Sequence, residues 1–127
     1  MNPKFRAWNK TWEEMGEVRR IRFYDNGSVS TVLVKCNGQA KNLTKDEVIL
    51  MQSTGLRDKN GKEIFEGDIL GTKDGLLNGI VKYSRDLGMW TNSLLRYQNF
   101  ERLCVIHRDR KVIGNIYENP ELLEVTE

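Results

Sequence analysis

The chain has 127 residues, of which 20 are basic and 18 acidic, and its formal net charge is +2 at pH 7. This length fits a single domain that buries enough apolar surface to fold without disulfides. The nearly balanced charge excludes neither nucleic acid nor protein as a partner. The sequence lacks a signal peptide and an apolar run long enough to span a membrane, so we expect a soluble, cytoplasmic protein with no membrane partner.

Residues 5–15 mix aromatic and charged side chains. Phe5, Trp8 and Trp12 fall at a helical spacing, but we favour two short strands around a turn. Basic residues lie among these aromatics, which also suits the stacking of nucleic-acid bases. A place for the tryptophans in the core or at an interface is the simpler interpretation.

Two alternating segments, residues 17–24 and 28–36, predict the clearest hairpin of the sequence. Asn26 and Gly27 form the turn between them, because both residues tolerate a positive φ. We expect one buried face and one face that carries arginines. The buried face consists of Ile21, Phe23, Val32, Val34 and Cys36, and the exposed face includes Arg20 and Arg22.

A helix start is predicted at residues 43–48. Thr44 is a suitable cap, and Glu47, three residues later, completes a capping box. A helix here has room for about two turns before Gly55. We therefore predict one helical turn that leads into a short buried segment.

The centre of the chain, residues 52–70, holds two tight-turn signals and two short apolar segments. Asn60 and Gly61 predict a chain reversal. Gly67 and Asp68 predict a second corner, which leads into a strand. A corner of this kind is typical of the first strand of a small SH3-like barrel.

After residue 63 the sequence predicts short strands separated by tight turns. The predicted strands are residues 64–65, 69–70, 80–83, 103–106 and 112–117. Residues 94–101 fit either a second short helix or an irregular strand. Asn119 and Pro120 predict a last helical turn, with Asn119 as its cap. The predicted fold is mostly β, with an N-terminal β-hairpin region (1–52) packed on an SH3-like barrel region (53–127) and one or two short helices.

Three blocks of the sequence resemble the signature of the YopX family, whose members are small proteins encoded by bacteriophages and prophages. The blocks include Lys4-Phe5-Arg6-Ala7-Trp8, Asp58-Lys59-Asn60-Gly61-Lys62 with Gly67-Asp68-Ile69, and Gly114-Asn115-Ile116-Tyr117. Asn9 stands where the family usually has Asp, and Phe65 stands where it often has Tyr. The resemblance implies a single YopX-like domain over residues 1–127 and a phage accessory protein of unknown molecular role.

The sequence contains no pattern of catalytic residues, and we expect no enzyme activity, no metal and no cofactor. His107 is the only histidine and has no paired nucleophile. Cys36 and Cys104 are isolated in sequence and fit reduced core thiols. Asp58 and Asp68 could converge on a divalent cation, but Asx turns explain both positions without a ligand.

Two kinds of binding surface are predicted. Basic side chains would form a patch for a nucleic-acid backbone if they meet in space. These are Arg20, Arg22, Arg57, Lys59 and Lys62. Large apolar side chains in a loop-like segment, residues 89–100, suit a homo-oligomer interface. These are Trp90, Leu94, Leu95, Tyr97 and Phe100.

We therefore expect a non-catalytic, self-associating binding module that also binds a host or phage macromolecule. The alternative is a small β-barrel that binds nucleic acid. Binding that weakens steeply with added salt would distinguish the alternative from the first interpretation.

Overall fold

The computed structural model describes residues 4–124, which form eleven β-strands, one short α-helix and two 3-10 helices. The chain divides into two compact units, with the boundary between Gln52 and Ser53. We call them unit 1 and unit 2. The prediction of a mostly β protein with one or two short helices is confirmed.

Unit 1 is an antiparallel sheet in which most strands pair with the next strand in sequence. Its strands are β1 (Phe5–Asn9), β2 (Glu14–Phe23), β3 (Val29–Cys36), β4 (Gln39–Thr44) and the first half of β5 (Val48–Arg57). The strand order is β4-β3-β2-β1-β5, so that β5 returns to pair with β1. Alternate side chains form the core, which consists of Ala7, Val32, Val34, Leu43 and Val48.

The two predictions for the N-terminal strands hold, with one error. Residues 5–15 form strand, turn and strand, and β2 pairs with β3 as the predicted hairpin. Phe23, however, is 60% exposed rather than buried. The β2–β3 register shifts between Arg22 and Phe23, and such an irregularity changes the face on which the following side chain lies.

The predicted helix start at residues 43–48 is wrong. Leu43 and Thr44 end β4, and Val48 begins β5. The backbone N–H and the Oγ1 of Thr44 do donate to Glu47 Oε1, at 3.1 and 3.0 Å. Here those bonds belong to a tight turn between β4 and β5. No helix follows, because the next apolar residues pair with β1.

Unit 2 contains a five-stranded antiparallel sheet and a short two-stranded pairing of the second half of β5 with β6 (Glu63–Phe65). The sheet consists of β7 (Asp68–Gly71), β8 (Gly79–Ser84), β9 (Met89–Leu94), β10 (Phe100–Arg102) and β11 (Lys111–Asn115), in the order β10-β9-β8-β7-β11. Helix α1 (Leu103–Ile106) and the 3-10 helix His107–Asp109 connect β10 to β11. The core consists of Ile64, Leu70, Val81, Leu103 and Val112.

Two predictions for unit 2 are wrong in part. Residues 103–106 form helix α1 rather than a strand, because Leu103 and Ile106, one helical turn apart, both pack on the core. Residues 89–100 are not a loop throughout, since β9 ends at Leu94 and β10 begins at Phe100. A short apolar run does not by itself distinguish a buried strand from a helix. The SH3-like barrel stays a prediction.

Candidate functional site

Asp58 organises the central turn. Its Oδ1 accepts hydrogen bonds from the backbone N–H groups of Asn60, at 2.9 Å, and Lys62, at 2.8 Å. Its Oδ2 accepts from the backbone N–H of Val112, at 2.9 Å and 54 positions later in the chain. The carboxylate therefore shapes its own turn and also fixes β11 beside it.

The charge of Asp58 is stabilised although the residue is buried. Burial acts to raise the pKa, because it penalises the ionised form. The N–H groups of Val112, Lys62 and Asn60, with the positive charge of Lys62, outweigh burial and hold the pKa of Asp58 below its ordinary value. The ionised carboxylate is thus a structural acceptor at neutral pH.

The corner at Gly67 and Asp68 is also held by the backbone. Gly67 has φ of 85°, donates its N–H to the carbonyl of Val81 at 2.9 Å, and accepts from the N–H of Ile116 at 3.0 Å. Asp68 is buried, and its Oδ2 accepts from the backbone N–H of Phe65 at 2.8 Å. Both aspartates of the central motif, Asp58 and Asp68, therefore accept bonds from backbone groups.

The C-terminal block closes through two asparagines. The Asn115 N–H donates to Asn119 Oδ1 at 3.1 Å, and the Asn119 N–H donates to the Asn115 carbonyl at 2.9 Å. A Cβ at Gly114 would lie 2.5 Å from Asn119 Oδ1, so this close approach requires glycine. The last helical turn exists as the 3-10 helix Pro120–Leu123. Asn119 is its N-cap residue, as predicted, and its backbone carbonyl accepts from the Leu122 N–H at 3.0 Å, but its side chain bonds to Asn115 and not to the helix.

At the N-terminus, too, a buried polar side chain accepts hydrogen bonds from the backbone of its own turn. Asn9 is buried, and its Oδ1 accepts from the N–H groups of Thr11, at 3.0 Å, and Trp12, at 3.1 Å. An aspartate at this position would accept the same two bonds. Trp12 is 60% exposed, and the Lys41 ammonium lies 3.5 Å from its ring centroid, within the range of a cation–π contact.

The predicted basic residues lie in both units. Arg20 and Arg22 are exposed on β2 in unit 1. The other three belong to the central turn in unit 2, where Arg57 donates from its guanidinium to the carbonyl of Gly61 at 2.9 Å. Lys59 and Lys62 are exposed there. Arg57 therefore supports the turn in addition to presenting a charge.

The predicted interface residues divide into two groups. Trp90 packs on the core of unit 2 and meets Tyr83 edge to face, with ring centroids 5.2 Å apart. The others line a depression of about 540 Å³ between β9 and β10. They are Leu94, Leu95, Tyr97 and Phe100. Tyr97 and Phe100 are 50% and 45% exposed.

A second concavity, which the sequence did not reveal, lies in unit 2. This cleft has a volume of about 740 Å³, and its polar lining consists of Lys59, Thr72, Lys73, Asp74, Asn78, Asp109 and Lys111. Gly71, Gly75 and Ile113 complete it. Its three lysines are widely separated in the chain, so no local spacing marks them as a group.

His107 and Cys36 contact backbone carbonyl groups, and Cys104 is exposed. His107 Nδ1 lies 2.7 Å from the carbonyl oxygen of Arg57. Neither cysteine forms a disulfide. Cys36 donates from Sγ to the Met15 carbonyl at 3.3 Å, whereas Cys104 is exposed and is not the core residue that we expected. Within residues 4–124 no group of three or more His, Cys, Asp or Glu side chains could hold a metal ion. No helix in that range is long and apolar enough to cross a membrane.

The fold and these motifs define a class of small, mostly β proteins in which buried carboxylate and carboxamide groups close backbone turns. A family model described as "YopX protein" matches residues 4–124. The chain therefore belongs to the YopX family.

Two solved structures are similar to the chain over nearly its whole length. Protein EF1440 from Enterococcus faecalis is 35% identical, with a TM-score of 0.69 and coverage of 98% of this chain and 99% of that one. Protein yopX from Bacillus subtilis is 21% identical, with a TM-score of 0.63 and coverage of 98% and 100%, and shows that the fold is shared. No curated protein matches the chain.

Proposed function

We propose that this protein is a non-catalytic accessory protein of a bacteriophage or prophage that acts in the bacterial cytoplasm as a self-associating binding module. The observation that carries the proposal is the aromatic edge of the sheet in unit 2. We call this surface the β10 edge; it comprises residues 94–102.

The β10 edge has the features of a strand that pairs with another chain. β10 is the terminal strand of its sheet, and its outer side pairs with no other strand among residues 4–124. Exposed strand edges present unpaired backbone groups and accept an additional strand. Tyr97 and Phe100 are half exposed beside the depression, and aromatic residues are enriched at the centre of interfaces.

A second copy of the same chain is the occupant that fits this edge best. In an antiparallel pairing about a two-fold axis at Glu101, Phe100 of one copy lies opposite Arg102 of the other. Both side chains are exposed on the same face of β10, since they are two residues apart. The pairing therefore creates two equivalent arginine–aromatic contacts, and such self-complementarity is what a two-fold dimer requires.

A binding role is favoured over catalysis by the hydrogen bonds of the central motif. Asp58 uses both carboxylate oxygens for backbone N–H groups, and Asp68 accepts from Phe65. Carboxylates committed in this way support turns and are poorly placed to transfer protons to a substrate. Cys36 and Cys104 form no disulfide, which fits a reducing cytoplasm.

The test is the mass of the protein in solution, measured by light scattering and sedimentation over a range of concentrations. We expect a dimer for the parent, and a shift toward monomer for Phe100→Ser and Tyr97→Ser. Phe23→Ser is the matched control, because Phe23 is also an exposed aromatic but lies on β2 in unit 1. It should leave the mass unchanged.

A monomeric parent at every concentration would refute self-association. A dimer that is weakened by Phe23→Ser and not by Phe100→Ser would place the interface elsewhere. Thermal unfolding of each variant confirms that a change of mass does not reflect loss of the fold.

A second candidate function, nucleic-acid binding, is favoured by the exposed end of β2. Phe23 and Tyr24 are 60% and 57% exposed beside the exposed guanidinium groups of Arg20 and Arg22. Exposed aromatics among basic residues provide the stacking and charge that single strands use. We expect affinity for a single-stranded oligonucleotide to fall with salt, and Arg20→Ala with Arg22→Ala to reduce that salt dependence. Absence of any salt-sensitive binding would refute this function.

A further inference from the structure

We propose that the cleft of unit 2 binds a small phosphate ester that also carries hydroxyl or amino groups, the chemistry of a mononucleotide or a sugar phosphate. The cleft is defined by Lys59, Lys73, Lys111, Asp109 and Asn78, which surround about 740 Å³. This volume lies within the range of small-molecule sites, which is roughly 300–1,000 Å³.

Backbone contacts bring the three lysines together from separate segments. The Lys59 N–H donates to the carbonyl of Arg110 at 2.9 Å, which places the central turn beside the start of β11. Lys111 pairs with Gly71 in the β11–β7 ladder, and Lys73 follows two residues after Gly71. The convergence is therefore built by the sheet and does not depend on one flexible loop.

The three ammonium groups are available to a ligand. Lys59, Lys73 and Lys111 form no ion pair with any residue in the described part of the chain. Three positive charges around one concavity attract an anion with several acceptor oxygens, and charge-assisted bonds to phosphate are among the stronger hydrogen bonds in proteins.

The two carboxylates in the cleft have different roles. Asp74 is occupied by its own turn, because its Oδ1 accepts from Thr72 Oγ1 at 2.6 Å and from the Leu76 N–H at 3.0 Å. Asp109 has no such partner within residues 4–124. A free carboxylate near an anion site repels a bare phosphate but accepts hydrogen bonds from hydroxyl or amino groups of an ester. This difference is the reason for inferring an ester and not a simple anion.

Asn78 supplies the remaining polar atom. It lines the cleft, and its side-chain Oδ1 is buried without a hydrogen-bond partner among the described residues. That oxygen is packed against Gly71, so closely that no side chain fits at position 71. The side-chain Nδ2 forms no hydrogen bond within residues 4–124, and it is the group of Asn78 that can donate to a ligand. Gly71 and Ile113 give the cleft an apolar floor for the carbon skeleton of the ligand.

The experiment is calorimetric titration of the full chain at low salt with AMP, ribose 5-phosphate, adenosine and inorganic phosphate. We expect saturable binding of at least one of the two phosphate esters, tighter than binding of phosphate or adenosine. Lys59→Ala with Lys111→Ala should weaken it about tenfold or more, since each substitution removes a charge-assisted bond. Asp109→Ala, which removes the acceptor, should weaken binding of the ester without weakening that of inorganic phosphate.

Lys82→Ala is the matched control, because Lys82 is an exposed lysine of β8 outside the cleft. It should not change the affinity. The proposal is overturned if neither ester binds at about 10 mM, a concentration that detects even weak sites. It is also overturned if inorganic phosphate binds as tightly as the esters, or if the double lysine variant binds like the parent.

Discussion

Unit 1 and unit 2 are both antiparallel β structures, but contacts of different range hold their strands. In unit 1, β1, β2 and β3 each pair with the next strand in sequence, and only β1–β5 is a longer connection. In unit 2, β7 pairs with β11 across the three intervening strands β8, β9 and β10. Local hairpins are specified by alternation and turn residues, whereas a long-range ladder needs additional contacts to fix it.

Those additional contacts in unit 2 are polar. Asp58 bonds to Val112, and Arg110 is buried in an ion pair with Glu101, which accepts from Asn92 Nδ2 at 3.2 Å. Both units have an apolar core cluster, but among the described residues Asn9 is the only buried polar residue of unit 1, whereas unit 2 has six. A buried polar contact fails completely when one partner is removed, while an apolar cluster loses stability in proportion to the lost volume. Unit 2 should therefore be more sensitive to single polar substitutions.

The largest effect is expected for Asp58→Ala. It removes three bonds to a charged acceptor and leaves the Val112 N–H buried and unpaired, which should lower the free energy of unfolding by about 3 kcal/mol. Urea unfolding, with hydrogen exchange to locate the loss in unit 2, measures it. Asp74→Ala is the control, because Asp74 bonds only within its own exposed turn. Equal losses in the two variants would contradict the role given to Asp58.

Gly67→Val compares equivalent backbone positions in the two units. A β-branched residue at positive φ costs about 1–3 kcal/mol, and Gly67 has φ of 85° in a buried corner. Gly27 has φ of 88° at the exposed tip of the unit 1 hairpin, where an added Cβ meets nothing within 4 Å. Gly27→Val should therefore cost less than Gly67→Val in thermal unfolding. The reverse order would show that the corner of unit 2 has no special importance.

Asn9→Ala tests whether a buried polar side chain also contributes to the stability of unit 1. The variant loses the acceptor for Thr11 and Trp12, at a cost of about 1 kcal/mol. Asn9→Asp should retain the stability of the parent, because a carboxylate accepts both bonds. If Asn9→Asp is as unstable as Asn9→Ala, the hydrogen bonds are not the reason for the residue at this position.

The smallest effect is expected from acid, because a protonated Asp58 still accepts through its carbonyl oxygen. The pKa of Asp58 is lowered in the folded protein from an ordinary value of 3.8, so its contribution is complete above that value and is lost as the pH falls through the folded pKa. Unfolding measured between neutral pH and about pH 2 should show this loss in the parent and a smaller one in Asp58→Asn. Parallel curves for the two proteins would refute it.

Sequence patterns predicted the parts of the fold that depend on neighbouring residues. The β2–β3 hairpin follows from alternation and from the Asn26-Gly27 turn, and the strand-turn-strand at the N-terminus follows from the resemblance of residues 4–8 to the opening of the family. The wrong predictions have a common cause: the same short sequence pattern is compatible with both a helix and a strand or turn. Thr44 and Glu47 make one of the two bonds of a capping box, from the Thr44 N–H to Glu47 Oε1, inside a tight turn between strands. Residues 103–106 are as apolar as a strand but form a helix.

The candidate sites were predicted less completely than the fold. The aromatic residues of the β10 edge were recognised because aromatic side chains in a polar segment are visible in any single sequence. The cleft was missed because Lys59, Lys73 and Lys111 become neighbours only through the β7–β11 ladder and the contact between Lys59 and Arg110.

The sequence by itself determined the β character of the chain, its turns and its membership of the YopX family, since these rest on residue types at short spacing. Only the tertiary structure decided that Asp58 reaches Val112, that Phe23 is exposed and that three distant lysines share one cleft. The physical reason is that long-range pairing and register depend on the summed packing of many residues, and no local pattern encodes that sum.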